Sequence, residues 1–215
     1  GNTIEDIRDI GNLKSVGRLS LNSNFIYDLT GLQELINLRH LDLTENRICD
    51  LRPVESLQQL KELRLQSNHI LDISPLARLE FLQTLSLAKN IIFDPHPLRN
   101  LTSLRSLKIS DNHIDLDNPR FKTMFDVLSK GGCRTETRNQ IQRSYSLEML
   151  VGSLASFSSS NRDLGRFLQE KGYLRFIDFI LDPTVDDKTK ETLYLSWDES
   201  FKRGAKMEEL DFPEK

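Results

Sequence analysis

Polar and apolar residues recur along the first half of the chain with a period of 22 residues. The most regular column is asparagine, at Asn2, Asn24, Asn46, Asn68, Asn90 and Asn112. From Asn24 onward, leucine or isoleucine stands five and three residues before the asparagine, and isoleucine stands two residues after it. A fixed period of this length is typical of a solenoid, in which each coil buries its apolar side against the next.

Each period predicts a short strand, a turn and a tight return. Inward leucines alternate with polar residues, as in Leu41-Asp42-Leu43, which is the pattern of a strand with one buried side. Further apolar columns follow, among them Leu13, Leu35, Leu57, Leu79 and Leu101. A single coil cannot bury these columns, so a continuous core is expected only where coils stack.

The unit LxxLxLxxNxIxDLxxLxxL resembles the short leucine-rich repeats of internalin-like proteins and of a regulatory subunit of protein phosphatase 1. The resemblance covers residues 1–117 and implies an α/β solenoid with a parallel β-sheet on its concave side. It also implies that the asparagine amides hydrogen-bond to the backbone of neighbouring turns, since a buried amide needs partners. We therefore predict a structural role for the asparagine column.

A second column consists of aspartates, at Asp6, Asp28, Asp50, Asp72 and Asp94. Stacked carboxylates are compatible with a calcium site or an acidic stripe. Turn chemistry is the favoured interpretation, because aspartate accepts backbone N–H groups in turns and proline or glycine follows several of these residues.

The chain begins in the middle of a repeat, because Asn2 already occupies the asparagine position. A terminal coil needs a polar outer side, which these first residues do not supply. We therefore expect further repeats, or a cap, upstream in a longer parent protein. The absence of a signal peptide would then say little about that parent.

The repeat pattern ends after Ile114, and a helix is predicted next. Its apolar residues have helical spacing, at Phe121, Met124, Phe125 and Leu128. The pattern stops at Gly131-Gly132, as is usual for a helix end. Such a helix would close the open end of the solenoid, giving a repeat domain over residues 1–132.

The remainder of the chain is predicted to be a linker and an all-α region. Residues 133–140 are polar and indicate the linker, whereas residues 141–215 carry several amphipathic segments. The stretch Leu193-Tyr-Leu-Ser-Trp197-Asp-Glu-Ser-Phe201 is similar to later helices of a VHS, ENTH-like or armadillo-type superhelix. No functional residue is carried over from that resemblance.

Charge and cysteine content limit the classes of partner and the cellular compartment that we expect. Lys and Arg number 29 against 32 Asp and Glu, and the net charge of −3 is shared by both halves of the chain. Neither half is basic, so nucleic acid and membrane insertion are not expected. Cys49 and Cys133 lack metal-ligand spacing, which favours a reduced, cytoplasmic protein.

No motif indicates catalysis. The chain has no phosphate-binding glycine loop, no HExxH, no GxSxG and no Cys/His cluster. We therefore expect no enzyme activity, no cofactor and no metal.

Two surfaces are candidates for binding a protein partner. Residues beside the inward leucines face the concave side, and the candidate contacts there are Arg18, His40, Asp42, Glu62, Arg64 and Lys108. Their signs alternate, so mutual pairing in solvent is the alternative interpretation. Aromatic residues flank the turn at Phe25, Tyr27 and Phe93, together with Ile91, and could form an exposed edge or be covered by other parts of the protein.

These features predict a non-catalytic interaction module or scaffold for another protein. The resemblance leaves open a regulatory subunit of a phosphatase or other signalling enzyme, and a bacterial host-interaction protein. A homodimer, formed through the aromatic edge or the helical region, is the remaining alternative.

Overall fold

A computed structural model describes residues 2–92, 94–114 and 116–140 of the protein. The chain divides into two units, Gly1–Gln142 and Arg143–Lys215, and the described residues all belong to the first. The helical region expected over 141–215 lies outside the described residues. Its separation from the repeats stays a prediction.

Short parallel strands form one sheet with neighbours in chain order. The strands are β1 Arg18–Ser20, β2 His40–Asp42, β3 Glu62–Arg64, β4 Thr84–Ser86, β5 Ser106–Lys108 and β6 Arg134–Glu136. Leu41 pairs with Leu63 and Leu63 with Leu85, so the leucine columns lie side by side across the sheet. The predicted solenoid with a parallel sheet is confirmed.

The return of each coil contains a 3₁₀ turn rather than an α-helix. These turns are η1 Arg8–Asn12, η2 Leu32–Glu34, η3 Arg52–Ser56, η4 Ser74–Arg78 and η5 His96–Asn100. The apolar columns fill the space between sheet and turns, and Leu41, Leu63 and Leu85 are at most 1% exposed. Burial of such columns is the main favourable contribution to folding.

The asparagine column forms a hydrogen-bond ladder between adjacent coils. The side-chain Nδ2 of Asn68 donates to the carbonyl oxygens of Leu43 at 2.9 Å and Leu65 at 3.1 Å, and its Oδ1 accepts from the N–H of Ile48 at 3.0 Å. Asn46, Asn90 and Asn112 repeat this arrangement. Each amide therefore satisfies buried backbone groups of its own coil and of the preceding one.

The residue before each ladder amide adopts a left-handed backbone conformation. These residues are Ser23, Glu45, Ser67, Lys89, Asp111 and Asn139, with φ between 54° and 57°. Non-glycine residues rarely adopt this conformation, and it persists where surrounding contacts determine it. Here the ladder hydrogen bonds on either side hold the turn.

The aspartate column begins the 3₁₀ turns. The Oδ1 of Asp50 accepts the N–H of Arg52 at 3.0 Å, and that of Asp72 accepts the N–H of Ser74 at 2.8 Å. Asp28 does the same for Thr30 at 2.9 Å. The carboxylates thus bind the backbone two residues on, as the turn interpretation predicts.

The sixth coil contains the predicted helix, α1 Pro119–Lys130. Its N-cap is Asn118, whose side chain accepts the N–H of Arg120 at 3.0 Å, and Pro119 occupies the first turn. The predicted apolar positions are all buried, at Phe121, Met124, Phe125 and Leu128. This helix takes the place of a 3₁₀ turn and lengthens the coil.

The structure differs from the predicted linker over residues 133–140. Arg134–Glu136 forms β6, in which Arg134 pairs with Ser106, 28 residues earlier. Backbone bonds hold it in place, because the N–H of Ile109 donates to the Glu136 carbonyl at 2.8 Å and the N–H of Arg134 donates to the Arg105 carbonyl at 2.8 Å. A polar sequence suffices for this strand because main-chain groups, rather than side chains, make the pairing.

Gln140 continues the amide ladder at the end of the described residues. Its Nε2 donates to the carbonyls of Ile109 at 2.9 Å and Thr137 at 3.0 Å, and its Oε1 accepts the N–H of Ile114 at 3.2 Å. An asparagine column with a period of 22 does not reveal this residue. The polar segment therefore completes the sixth coil.

We expect Asn68→Ala to lower the free energy of unfolding by about 3 kcal/mol, because buried backbone groups of two coils lose their partner. The measurement is urea denaturation followed by circular dichroism. The control is Asn22→Ala, whose exposed amide, among the described residues, hydrogen-bonds only to the side chains of Ser20 and Ser23. Equal losses in the two variants would contradict the structural role of the ladder.

We expect Gln140→Ala to speed hydrogen exchange at the Ile114 amide roughly tenfold, because the local bond that protects it is lost. The Ile70 amide bonds to Asn90 and serves as the internal control, since its exchange should stay unchanged. Unaltered protection at Ile114 would show that Gln140 does not continue the ladder.

Candidate partner-binding surface

The outer side of the sheet carries the candidate charged residues, and we call it the sheet face. It consists of the first and third residues of each strand, whereas the central residue points into the core. Strand pairing places His40 beside Glu62 and Asp42 beside Arg64. Arg18 on β1 and Lys108 on β5 are exposed. All six predicted concave residues therefore lie on this surface.

Four of the six form one charged network. The Nδ1 of His40 lies 3.1 Å from Glu62 Oε2, and an Arg64 terminal nitrogen lies 2.5 Å from Glu62 Oε1. Arg64 also lies 3.8 Å from an Asp42 carboxylate oxygen. The hydrogen bond with the His40 ring, together with the Arg64 charge, holds the pKa of Glu62 below its usual value although burial opposes this. Mutual pairing is thus present on this part of the surface.

Lys108 lies apart from that network. Its ammonium nitrogen is 3.9 Å from Glu136 on β6, and both side chains are substantially exposed. An exposed pair of this length contributes little to stability. The lysine is therefore available to exchange Glu136 for another anion at small cost.

The fourth strand separates Arg64 from Lys108 and carries no charge. Its outward residues are Thr84 and Ser86, and Ala88 follows them. A depression of about 410 Å³ extends along the sheet face from Asn22 to Lys108 and includes this strand, with Arg64 and Ser86 in its lining. Short side chains between longer ones account for this hollow.

The aromatic edge is only partly as predicted. Phe25 is 38% exposed, and the Arg47 guanidinium carbon lies 4.4 Å from the centre of its ring. Tyr27 is half-buried, and Phe93 lies outside the described residues. Ile91, expected to point outward, is only 4% exposed. Side chains alternate in strands, and Ile91 lies outside them, so the alternation does not determine its direction.

Buried titratable groups lie away from the sheet face. Burial, with a smaller effect of the Arg47 charge, lowers the pKa of His69 to about 4, and burial lowers that of His113 to about 4. Both cysteines are buried and neither forms a disulfide, and burial raises the pKa of Cys49 and of Cys133. A thiol is a nucleophile only as its thiolate, so neither cysteine suits a reactive role.

Within 2–92, 94–114 and 116–140, no three His, Cys, Asp or Glu side chains are grouped so that they could hold a metal ion. In that part of the chain, no helix has the length and apolar character needed to cross a bilayer.

Ser86 is a buried residue of the sheet face that the sequence did not single out. It is 7% exposed, and its hydroxyl oxygen has no hydrogen-bond partner among the described residues. In sequence it is one of several serines in the repeat columns. Only the run of small side chains along β4 distinguishes it.

Comparison with known proteins identifies the repeats. A family described as leucine-rich repeats, in two copies, matches residues 36–78. Internalin C2 of Listeria monocytogenes is 33% identical with a TM-score of 0.58, over 69% of this chain and 64% of that one. A second Listeria monocytogenes internalin, inlF, is 27% identical with a TM-score of 0.52, over 69% and 49%. A leucine-rich repeat protein of Leptospira interrogans is 28% identical with a TM-score of 0.56, over 63% and 35%.

The match spans less than two thirds of the length of each of these three proteins. No curated protein sequence matches the chain significantly. The described residues form a leucine-rich repeat solenoid of the kind seen in internalins and other leucine-rich repeat proteins.

Acid should destabilise the solenoid through its buried imidazoles. The folded pKa of His113 is lowered, so between pH 6.5 and 4 the unfolded chain binds a proton that the folded one does not. Stability from this group is therefore present above pH 6.5 and lost as pH falls. Between pH 7 and 5 the wild type loses part of its free energy of unfolding. We expect this loss to be smaller in His113→Gln by on the order of 1 kcal/mol.

Urea denaturation at the two pH values provides the measurement. His40→Gln is the control, because His40 lies on the sheet face rather than in the interior. A pH dependence unchanged by His113→Gln would refute the contribution of this histidine.

Proposed function

We propose that the protein is a non-catalytic interaction module that binds a protein partner through the sheet face. The candidate contacts are Arg18, His40, Asp42, Glu62, Arg64 and Lys108. The observation that carries this proposal is the open row of charged side chains on an in-register parallel sheet. Leucine-rich repeat proteins generally act by binding other proteins, and the long open face of a solenoid suits that use.

The charge pattern supports selectivity more than high affinity. Arg64 and Glu62 are paired within the surface, so a partner must exchange these contacts for its own. Charged surfaces that match across an interface mainly accelerate encounter and exclude wrong partners. The sheet face carries no aromatic side chain, so an aromatic anchor would have to come from the partner or from the edge at Phe25 and Tyr27.

The decisive experiment reverses the network. Asp42→Arg combined with Arg64→Glu should abolish capture of the partner in a pull-down read by quantitative mass spectrometry. Thermal stability should stay nearly unchanged, because ion pairs that solvent partly screens contribute little. The matched control reverses Glu55 and Arg78, a 3.4 Å exposed pair on η3 and η4, on the other side of the coil.

Proteins lost by the sheet-face variant but retained by the control are partners bound by this surface. An identical set of captured proteins for wild type and both variants would reject the sheet face as the binding site.

Each alternative function predicts a different partner and therefore a different readout. A phosphatase regulatory role requires co-purifying phosphatase activity, and a host-interaction role requires a captured host protein. A homodimer through the Phe25 edge or the helical region requires a doubled mass in light scattering. The similarity to Listeria internalins favours the second of these for testing first.

A further inference from the structure

The sheet face changes character at β4. Arg64 on β3 and Lys108 on β5 both lie in the same row as Ser86, because the register pairs Arg64 with Ser86 and Ser86 with Lys108. Adjacent strands are about 4.8 Å apart, so the backbones of the two cationic residues lie about 10 Å apart. That separation leaves room for a side chain between them.

Ser86 forms the floor of this gap. The residue lines the depression and is more than nine-tenths buried, and its buried hydroxyl has no hydrogen-bond partner within the described residues. A buried hydroxyl without a partner is unfavourable, since such groups are normally hydrogen-bonded. An acceptor entering the gap would correct this, because the hydroxyl can rotate to donate to it.

We propose that this gap is a subsite for one carboxylate side chain, glutamate or aspartate, of the protein partner. The carboxylate lies between the Arg64 guanidinium and the Lys108 ammonium and accepts a hydrogen bond from Ser86 Oγ. The proposal rests on the proposed function, because it names the chemistry that the partner brings to the sheet face.

Charge complementarity selects a single carboxylate. Both cations already contact acids, Arg64 with Glu62 on its own strand and with Asp42 on β2, and Lys108 with Glu136 on β6. A doubly charged phosphate would meet more repulsion from these three carboxylates than a singly charged group. Arg64 has five N–H donors and Lys108 has three, so both retain donors for an added carboxylate.

The shape of the site favours a side chain from a macromolecule. The depression of about 410 Å³ is open toward solvent along the sheet and is lined largely by polar residues. Sites for free small molecules usually enclose most of the ligand with apolar walls. A side chain presented by a partner needs no such enclosure, because contacts elsewhere on the sheet face hold it in place.

The test uses NMR titration of the full chain with the blocked tripeptide acetyl-Gly-Glu-Gly-amide. We expect saturable shifts at the amides of Ser86 and Lys108 and none with the glutamine analogue. Inorganic phosphate, the third probe, should bind more weakly than the glutamate peptide. Equal responses to glutamate and glutamine, tighter phosphate binding, or equal shifts at Lys122 on α1 would each overturn the proposal.

Ser86→Ala and Lys108→Met should each raise the dissociation constant of the glutamate peptide about tenfold, because each removes a donor to a charged group. Lys122→Met is the matched control and should leave it unchanged. Ser86→Ala should not lower thermal stability, because no hydrogen bond to another described residue is lost. Lys108→Met alters only a long exposed side chain and provides a second variant if Ser86→Ala fails to fold.

An unchanged dissociation constant in either Ser86→Ala or Lys108→Met would overturn the subsite. Failure of the proposed function gives a different result. If the sheet-face reversal captures the same proteins as wild type, the partner surface is rejected. If wild type still binds the glutamate peptide in that case, the carboxylate subsite is kept.

Discussion

The structure depends on the hydrogen bonds of a buried turn that recurs in each coil. Each coil reverses direction through a left-handed residue, as at Ser67, and leaves main-chain groups in the interior. The amide of Asn68 satisfies such groups in two adjacent coils at once. Because the same bonds recur at each step, they fix the offset between coils and hold the leucine columns opposite one another.

That fixed offset creates the candidate binding surface. Strands in strict register place outward side chains in straight rows, so Glu62 contacts both His40 across the sheet and Arg64 along its own strand. The charges are positioned by the core beneath them rather than by a cleft. A surface of this kind suits recognition of another protein, because its chemistry is spread along a row.

The interruption of the row at β4 is the main chemical irregularity on that surface. Arg64 and Lys108 are separated by Ser86, and because the serine side chain is short, the two cations border a hollow. The acids around them limit how much further negative charge this place accepts. The alternating charges that pair within the sheet face therefore also limit the charge of a group that binds between the two cations.

The sequence alone determined the repeats, the buried columns, the role of the asparagines and the helix with Phe121 and Phe125 inward, because burial and amide bonding leave a periodic record. Only the tertiary structure decided that the polar residues around Arg134 form a strand and that Gln140 takes the place of an asparagine. The strand depends on main-chain pairing with residues 28 positions earlier, and Gln140 depends on side-chain bonds to backbone groups such as the Ile109 carbonyl, so neither outcome appears in the repeat pattern. The burial of Ile91 and of Ser86 likewise depends on neighbouring coils.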